Sequence, residues 1–167
     1  MTEVLLALGS SLGDREKILR LVILKLKADP QVRLLACSSV WGSIPIGVAQ
    51  NIFRNMVIRI ETSYSALELL KELQHIEHEF GRVRGVHWSD RSIDIDILLF
   101  GDQLHQLSHL EIPHPRMLER GFVILPCLEI AADMVYPNTG VTLGEIEYPE
   151  FLGQWKIGLL DLPKSFG

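Results

Sequence analysis

The alternation of apolar and polar positions predicts four main β-strands and two helices between residues 3 and 100. Short apolar runs are typical of strands, whereas apolar residues three or four positions apart are typical of helices. The predicted strands cover residues 3–8, 31–41, 52–62 and 92–100. One predicted helix is capped by Asp14 and runs to Ala28, where Pro30 enforces its end. The other runs from Ser65 to Phe80.

The order of these elements predicts the fold class. Strand-helix-strand-strand-helix-strand is the order of the split βαβ, ferredoxin-like α+β sandwich, in which helices pack on a mostly antiparallel sheet. Roughly the last thirty residues carry only weak patterning. The length of 167 residues favours a single domain, residues 1–167. The remaining predicted segments are loops at 42–50 and 81–90, a rigid turn at 113–116, and short helices within 117–132.

Two aspartates interrupt the last of these strands, which reads RSIDIDILLF over residues 91–100. Asp94 and Asp96 are two positions apart, so their side chains leave the same face of the strand, roughly 6 to 7 Å apart. At an effective dielectric constant near 20, two such carboxylates repel each other by about 2.5 kcal/mol. If both helices cover one face of the sheet, the carboxylates share the other face, which is expected to be open, with Phe53 and Asn55. The pattern therefore predicts a site-like group of two carboxylates, an aromatic ring and an amide.

The aspartate pair leaves two interpretations open. One is a solvated strand face with salt bridges to Arg82 or Arg91. The other is a site for a hard cation, because a cation converts the repulsion into attraction. Mg²⁺ suits two carboxylates without a histidine or cysteine cluster, since it fills the rest of its shell with water and phosphate oxygens.

Composition and charge exclude several classes of function. The net charge of −5 argues against a general nucleic-acid surface or an anionic-membrane surface. No apolar stretch approaches the length of about 18 residues that a membrane helix needs, and the N-terminus lacks the basic region of a signal peptide. Cys37 and Cys127 have no metal-ligand spacing, so we interpret both as free thiols of a reducing cytoplasm.

Every lysine or arginine between Lys71 and Lys156 is arginine, which predicts contacts to phosphate groups. Arginine offers forked contacts to phosphate, whereas lysine would serve solubility equally well. The alternative is ordinary surface charge. These residues are Arg82, Arg84, Arg91, Arg116 and Arg120.

The histidines and one tryptophan leave further alternatives. His114, between two prolines, either presents its ring to phosphate or is a structural part of the turn. Trp88 either pins the predicted loop at 81–90 or covers a ligand. His75 and His78, three positions apart on a helix, are interpreted as part of a solvated face.

The segment Gly9-Ser10-Ser11-Leu12-Gly13 fits the G-x-S-x-G pattern of a hydrolase nucleophile elbow. Only eight residues precede it, which leaves no room for the earlier strands and the oxyanion loop of that fold. We therefore reject a hydrolase with Ser11 as its nucleophile. The sequence also lacks G-x-x-x-x-G-K-[ST], so any nucleotide is held without a P-loop.

Five segments have a family-like order and spacing and cover most of residues 4–133. They read LALGSSLGDR, IPIGVAQNIFRNMV, LLKELQHIEHEFGRVR, WSDRSIDIDILLFGD and LEIPHPRMLERGFVILPCLEIA. The most specific combination is the strand Arg-x-Ile-Asp-Ile-Asp followed by Ile-Pro-His-Pro-Arg. Together the segments resemble the 6-hydroxymethyl-7,8-dihydropterin pyrophosphokinases of folate biosynthesis. The resemblance implies transfer of the β,γ-pyrophosphoryl group of ATP to the hydroxymethyl oxygen of the pterin.

Carried over by position, the resemblance implies roles for individual residues. Asp94 and Asp96 would bind two Mg²⁺ ions that bridge the ATP phosphates, and would share the catalytic role with Arg82 and Arg91. The implied pterin-binding residues are Phe53 and Phe122 on either face of the ring, Asn55 at its edge, and Ser43 and Ile46. The implied ATP-binding residues are Gln74, Glu77, Arg82, Arg84, Trp88, Arg91, Ile97, His114 and Arg120. The partners expected of this cytoplasmic monomer are ATP and the pterin, without nucleic acid or membrane.

Three departures from the family pattern bear on ATP affinity and on closure of the 81–90 loop, not on the type of reaction. Ser11 replaces an asparagine, and Ser89-Asp90 replaces a frequent Gly-Pro. His87 stands where a further arginine often lies, in a loop that is one residue shorter than in common relatives. A second class of function is a ferredoxin-like module that binds a nucleotide or a pterin without turning it over.

Overall fold

The computed structural model shows an antiparallel sheet with helices on both faces. It describes residues 1–11, 13–44, 52–80 and 93–162. A 3₁₀ turn, Leu143–Glu145, lies among the last elements. The helices and strands are β1 Thr2–Ser10, α1 Arg15–Ala28, β2 Val32–Cys37, β3 Val40–Ser43, β4 Phe53–Thr62, α2 Ala66–Phe80, β5 Asp94–Phe100, β6 His105–Leu107, β7 Leu110–Ile112, α3 Gly121–Ala131, β8 Val135–Tyr136, β9 Val141–Thr142 and β10 Gln154–Gly158.

Six of the strands form the main sheet, and all of their pairings are antiparallel. The order across the sheet is β10-β3-β4-β1-β5, and β2 also pairs with β4. The predicted combination of helices with a mostly antiparallel sheet is therefore confirmed. Strands β6 with β7 and β8 with β9 form two small separate sheets.

Helices α1 and α2 cover one face of the sheet, as expected. Their apolar side chains pack on the even-numbered residues of β1 and β4 and on the isoleucines at the start of β5. The caps agree with the sequence: Asp14 Oδ1 accepts a hydrogen bond from Lys17 N at 3.1 Å. Ser65 and Glu68 form a reciprocal capping box at the start of α2, with N–H to side-chain distances of 2.9 and 3.2 Å.

The opposite face of the sheet is partly covered, which corrects the expectation that it is open. Helix α3 packs there through Val123, Ile124 and Cys127. Residues 117–132 were expected to hold short helices, but they contain one helix of 11 residues with Pro126 inside it. Because this helix is apolar on nearly all sides, its sequence lacks the periodicity by which a single amphipathic helix is recognised. The strand residues beneath it are Leu5, Val57, Leu98 and Leu99.

Several strand boundaries differ from the prediction. The predicted strand 31–41 is divided into β2 and β3 at Ser38, whose Oγ accepts the Val57 N–H at 2.8 Å and donates to Ser39 O at 2.8 Å. A side chain thus replaces a backbone partner of β4 and interrupts the strand. Strand β4 begins at Phe53, so Ile52 precedes the strand and is 44% exposed instead of joining its apolar face.

Cys37 and Cys127 are free thiols, as predicted. Burial raises the pKa of Cys127 to about 12 and the pKa of Cys37 to about 11. Both sulfurs therefore remain protonated thiols at neutral pH. In the part of the chain that the structure describes, no helix has the length and apolar character needed to cross a membrane.

Glu129 joins α3 to the edge of the sheet. Its carboxylate accepts hydrogen bonds from Trp41 Nε1 at 2.7 Å and from Ser39 Oγ at 2.8 Å, and Lys156 Nζ of β10 lies 3.4 Å away. Partial burial raises the pKa of Glu129, but the hydrogen bonds from Trp41 and Ser39 outweigh burial and hold the pKa below its usual value.

We expect this contact to make the protein less stable in acid. A lowered folded-state pKa gives stability that is present above the usual glutamate pKa of about 4.3 and is lost as the pH falls through the folded-state value. Thermal unfolding between pH 7 and pH 3 should show a steeper decline for the native protein than for Glu129→Gln. Glu119→Gln, at an exposed position, is the control. Parallel declines for the native protein and Glu129→Gln would contradict the assignment.

Candidate active site

A cleft of about 210 Å³ opens at the end of the sheet face that α3 leaves uncovered. Strands β1, β4 and β5 form its floor, the end of β3 forms one wall, and the start of α3 with the turn before it forms the other wall. The cleft brings together many of the residues that the sequence singled out. These are Ser43, Phe53, Asn55, Asp94, Asp96, His114, Arg120 and Phe122.

The register of β1 with its two neighbours arranges the polar side chains in rows across the floor. Gly9 pairs with Asn55 of β4 on one side and with Asp94 of β5 on the other. Ala7 pairs in the same way with Asp96. Paired residues point to the same face of a sheet, and two strand spacings separate Asn55 from Asp94 by about 10 Å. The amide and the carboxylates therefore line one floor, separated by residues with little or no side chain.

Asn55 is held in a fixed orientation at one end of this floor. It is 6% exposed, and its Nδ2 donates a hydrogen bond of 2.7 Å to Ser43 Oγ. Its Oδ1 faces the space above Gly9, because a Cβ built on Gly9 would lie 3.4 Å from that oxygen. Asn55 thus presents an acceptor to the cleft, and Gly9 supplies the room in front of it.

The carboxylates at the other end fit a magnesium site. Asp94 is half-buried and Asp96 is exposed, and the residues beside them on β1 are only Gly9 and Ala7. Across residues 1–11, 13–44, 52–80 and 93–162, no group of three or more His, Cys, Asp or Glu side chains could hold a metal. Two hard oxygen donors next to open space suit Mg²⁺, which completes its shell with water and phosphate oxygens.

His114 is positioned as a neutral hydrogen-bond donor beside the carboxylates. Its Nδ1 accepts the Arg116 N–H at 3.3 Å, so the proton of the neutral ring lies on Nε2. Burial lowers the pKa of His114 and nearby Arg120 adds to this effect, although Asp96 opposes it. The ring is therefore neutral at physiological pH and can donate from Nε2.

Phe53 and Phe122 both contribute aromatic surface to the cleft, one from β4 and the other from α3. The Arg120 guanidinium carbon lies 5.9 Å from the centroid of the Phe122 ring, within the range of a cation–π contact. Arg120 precedes α3 and makes no side-chain capping bond there. The arrangement holds the Arg120 guanidinium next to the Phe122 ring in the cleft.

Comparison with known proteins identifies the family. Residues 5–132 match the family described as 7,8-dihydro-6-hydroxymethylpterin-pyrophosphokinase (HPPK). This chain belongs to the HPPK family. The 2-amino-4-hydroxy-6-hydroxymethyldihydropteridine pyrophosphokinase of Haemophilus influenzae is 42% identical over 142 residues, which are 84% of this chain and 89% of the relative. The enzyme of the same name from Bacillus subtilis is 44% identical over 126 residues, 75% of each chain.

Solved structures agree on the fold. The wild-type HPPK-DHPS of Plasmodium falciparum superposes with a TM-score of 0.64 at 13% identity over 86% of this chain. The same protein with pteroate gives a TM-score of 0.65 at 14% identity. This chain spans only 40% and 41% of the length of those two chains. At such low identity the likeness shows that this chain shares the HPPK fold.

Three of the ATP positions implied by the HPPK pattern lie away from the cleft lining. Gln74 is exposed on α2. Glu77 is buried on the helix side of the sheet, where its Oε2 accepts the Ile95 N–H at 2.9 Å. Ile97 packs in the core formed with α1 and α2. A role of these residues in binding ATP stays a prediction.

Several predictions fall on residues outside the described ranges. They include the 81–90 loop with its expected closure, and the alternative in which the aspartates form salt bridges with arginines. The site residues outside the described ranges are Ile46, Arg82, Arg84, Trp88 and Arg91.

His75 and His78 are exposed on α2, as predicted for a solvated face.

The predicted strand 3–8 ends before Gly9, so sequence reasoning missed the part that Gly9 has in the site. Strand β1 continues to Ser10, so Gly9 lies within the sheet, between Asn55 and Asp94. Only the strand register reveals this, and one sequence carries no direct signal of register. The structure also argues against the hydrolase alternative. Ser11 is 2% exposed, so its hydroxyl is inaccessible to a substrate.

Proposed function

We propose that this cleft is the site at which the chain acts as an HPPK. The chain transfers pyrophosphate from ATP to the hydroxymethyl group of 6-hydroxymethyl-7,8-dihydropterin, giving the pterin diphosphate and AMP in folate biosynthesis. The observation that carries the site assignment is the row Asn55–Gly9–Asp94. This row places the Asn55 amide next to a carboxylate pair. The amide suits a substrate with a polar ring, and the carboxylates suit a phosphate donor that binds with Mg²⁺.

The pterin occupies the Asn55 half of the cleft in this proposal. A pterin ring is flat and has hydrogen-bonding groups along one edge, so it needs aromatic faces and fixed polar partners. Phe53 and Phe122 provide the faces, and Asn55 Oδ1, oriented by Ser43, accepts from the edge. Ile46 would complete this half. Because Ser43 already orients Asn55, this side chain loses little conformational entropy on binding.

The phosphates occupy the Asp94 half. Asp94 and Asp96 would hold two Mg²⁺ ions, which would neutralise the phosphate oxygens and favour the charge that develops on them. His114 donates from Nε2, and Arg120 adds a cation beside the same space. Alignment and charge stabilisation account for most of the rate in such transfers. The chain thus needs to hold the hydroxymethyl oxygen in line with the β-phosphorus of ATP while AMP leaves.

The other expectations are proposals of the same kind. Arg82 and Arg91 act in catalysis, and Gln74, Glu77, Arg84, Trp88 and Ile97 contact ATP. Two free thiols support a reducing cytoplasm as the place of action. We also propose that the chain acts as a monomer. The strand order β3-β4-β1-β5, with α1 and α2 on one face, supports the ferredoxin-like class.

An assay of AMP release tests the function directly. The purified chain, mixed with ATP, Mg²⁺ and 6-hydroxymethyl-7,8-dihydropterin, should produce AMP and pterin diphosphate in equal amounts. Omission of the pterin should prevent AMP formation, and chelation of Mg²⁺ should do the same. A binding module would instead bind a non-hydrolysable ATP analogue and pterin in calorimetric titrations but release no AMP from ATP. That second outcome would overturn the proposal.

Removal of an aromatic wall should weaken pterin binding selectively. Stacking contributes about 0.5–1.5 kcal/mol for an aromatic pair beyond the burial of area. We therefore expect Phe53→Ala and Phe122→Ala each to raise the Kd for pterin, with a smaller change for the ATP analogue. Calorimetric titrations of both ligands provide the measurement, and Tyr64→Ala, which removes a ring on the α1 and α2 side of the sheet, is the control. Equal losses for the two ligands would mean that the rings support the core.

A further inference from the structure

The last described strand supports one wall of the cleft from outside. Residues 151–158, here called the C-terminal strap, lie beyond the segment 5–132 that matches the family. Strand β10 of the strap pairs with β3, so that Gln154 faces Ser43 and Trp155 faces Gly42. The Ile44 N–H donates to Gly153 O at 2.9 Å and extends the contact past the end of β3. The strap therefore follows β3 to the point where Ser43 and Ile44 line the cleft.

Trp155 lies directly on Gly42. A Cβ built at Gly42 would overlap the indole ring, so the ring occupies the place that any other side chain at that position would need. The ring is 41% exposed, and its other side faces away from β3. Large apolar side chains stabilise a structure when they are buried, so the burial of just one side gives Trp155 a limited share in the core. Its close approach to β3 calls for another explanation than core packing alone.

The strap also touches the opposite wall. A Cβ built at Gly121, the first residue of α3, would lie 2.5 Å from Phe151 Cβ and 2.5 Å from Gln154 Oε1. Gly121 immediately precedes Phe122, the aromatic residue of that wall. Gln154 Nε2 in turn donates to Phe151 O at 2.8 Å, which ties the two contacting residues together. The strap thus fits against backbone, without an intervening side chain, beside both Ser43 and Phe122.

A third link makes the strap a brace between the two walls. Lys156 Nζ lies 3.4 Å from Glu129 Oε2 of α3, and the same carboxylate accepts from Trp41 Nε1 of β3 at 2.7 Å. Strand β3 and α3 are therefore joined to the strap at the cleft end and to each other further along. Protein packing transmits such constraints because the interior has few voids to absorb a shift.

We propose that the C-terminal strap sets the width of the pterin end of the cleft, with Trp155 as its positioning residue. The proposal rests on the function proposed above and adds residues beyond the family match to the determinants of pterin affinity. Trp155 acts through Gly42 on Ser43 and, by way of the hydrogen bond from Asn55, on the polar partner of the pterin. It touches no reacting group, so its effect should fall on pterin binding and not on ATP binding.

The first test compares Trp155→Ala with Ile157→Ala. Ile157 lies on the same strand and is 42% exposed, but it has no register partner on β3. Misplacement of a site by about 1 Å can cost a hundredfold, so we expect Trp155→Ala to raise the KM for pterin about tenfold. The KM for ATP and kcat should change little, and Ile157→Ala should resemble the native protein. Trp155→Phe should restore most of the pterin affinity.

A double-mutant cycle tests the route through Gly42. Gly42→Ala should push the indole away and raise the KM for pterin in the native background. In the Trp155→Ala background the same change should add nothing, since the ring that it would displace is gone. Thermal unfolding of all four proteins measures stability separately. A rise in the pterin KM that simply follows the loss of stability, with the KM for ATP rising equally, would reduce the strap to a structural element.

The outcomes separate the two proposals. If the native chain forms no AMP, the proposed function fails whatever the variants do. If the native chain is active and Trp155→Ala binds pterin as the native protein does, the function stands and the role of the strap is refuted. Should Trp155→Ala fail to fold, Gly42→Ala alone decides, because an unchanged pterin KM in that variant contradicts the proposal.

Discussion

Asp96→Asn is expected to reduce turnover about a thousandfold while leaving the fold intact, because a bound metal supplies several kcal/mol of transition-state stabilisation. Asn has nearly the same shape as Asp but lacks the charge that a cation needs. The side chain is exposed on β5, so its replacement creates no cavity. It also removes the repulsion from Asp94, and the Tm without Mg²⁺ should hold steady or rise.

The measurements for Asp96→Asn are the rate of AMP release, the Tm with and without Mg²⁺, and the Mg²⁺ dependence of ATP-analogue binding. Asp102→Asn is the matched control, because Asp102 is an exposed carboxylate in the turn just after the same strand. The control should keep its rate and its Mg²⁺ dependence. A nearly normal rate for Asp96→Asn would refute the assignment of the metal site to this strand.

The period-two pattern was sufficient to place four of the site residues on one face of the sheet. Asp94 and Asp96 interrupt an otherwise apolar strand, and a strand allows two such residues only if they share a face. Phe53 and Asn55 follow by the same argument on β4. Their common face was expected on the condition that α1 and α2 cover the other one, which the structure confirms.

The positions of the other parts of the site depended on information that a single sequence does not carry. Gly9 lies between Asn55 and Asp94 through strand register, which is set by long-range pairing and not by local composition. Phe122 reaches the cleft because α3 packs on the face of the sheet opposite α1 and α2. The sequence of that helix is uniformly apolar, so it has no periodicity from which its orientation could be predicted. Strand β10 is short, exposed and weakly patterned, so only its pairing with β3 defines it.

Gly9→Val is expected to abolish much of the pterin affinity without loss of stability. A Cβ at Gly9 would lie 3.4 Å from Asn55 Oδ1 and 3.9 Å from Phe53 Cδ1, which are ordinary contact distances. The two further methyl groups of valine would extend into the space in front of Asn55. Extra methyl groups in a packed site typically cost about 1–3 kcal/mol. This cost corresponds to a loss of pterin affinity of roughly five- to 150-fold.

The stability of Gly9→Val should move in the opposite direction from its affinity. Glycine weakens the interior of a strand, whereas valine is among the residues that strands favour. The backbone of Gly9 does not adopt a left-handed conformation, so a side chain causes no strain there. The Tm should therefore hold or rise, and a loss of pterin binding would then be steric in origin and not a consequence of unfolding.

Gly9→Ala and Gly9→Val together form a graded test of where the pterin lies. Alanine adds one methyl group at contact distance from Asn55 and should change the Kd for pterin modestly, whereas valine should change it strongly. The Kd for the ATP analogue should change less in both variants, because Asp96 and His114 lie further along the cleft than Gly9. If Gly9→Val bound pterin as tightly as the native protein, the recess above Gly9 would not be the pterin site. The row Asn55–Gly9–Asp94 would then hold another part of the substrates, and the order of the two halves of the cleft would have to be reversed.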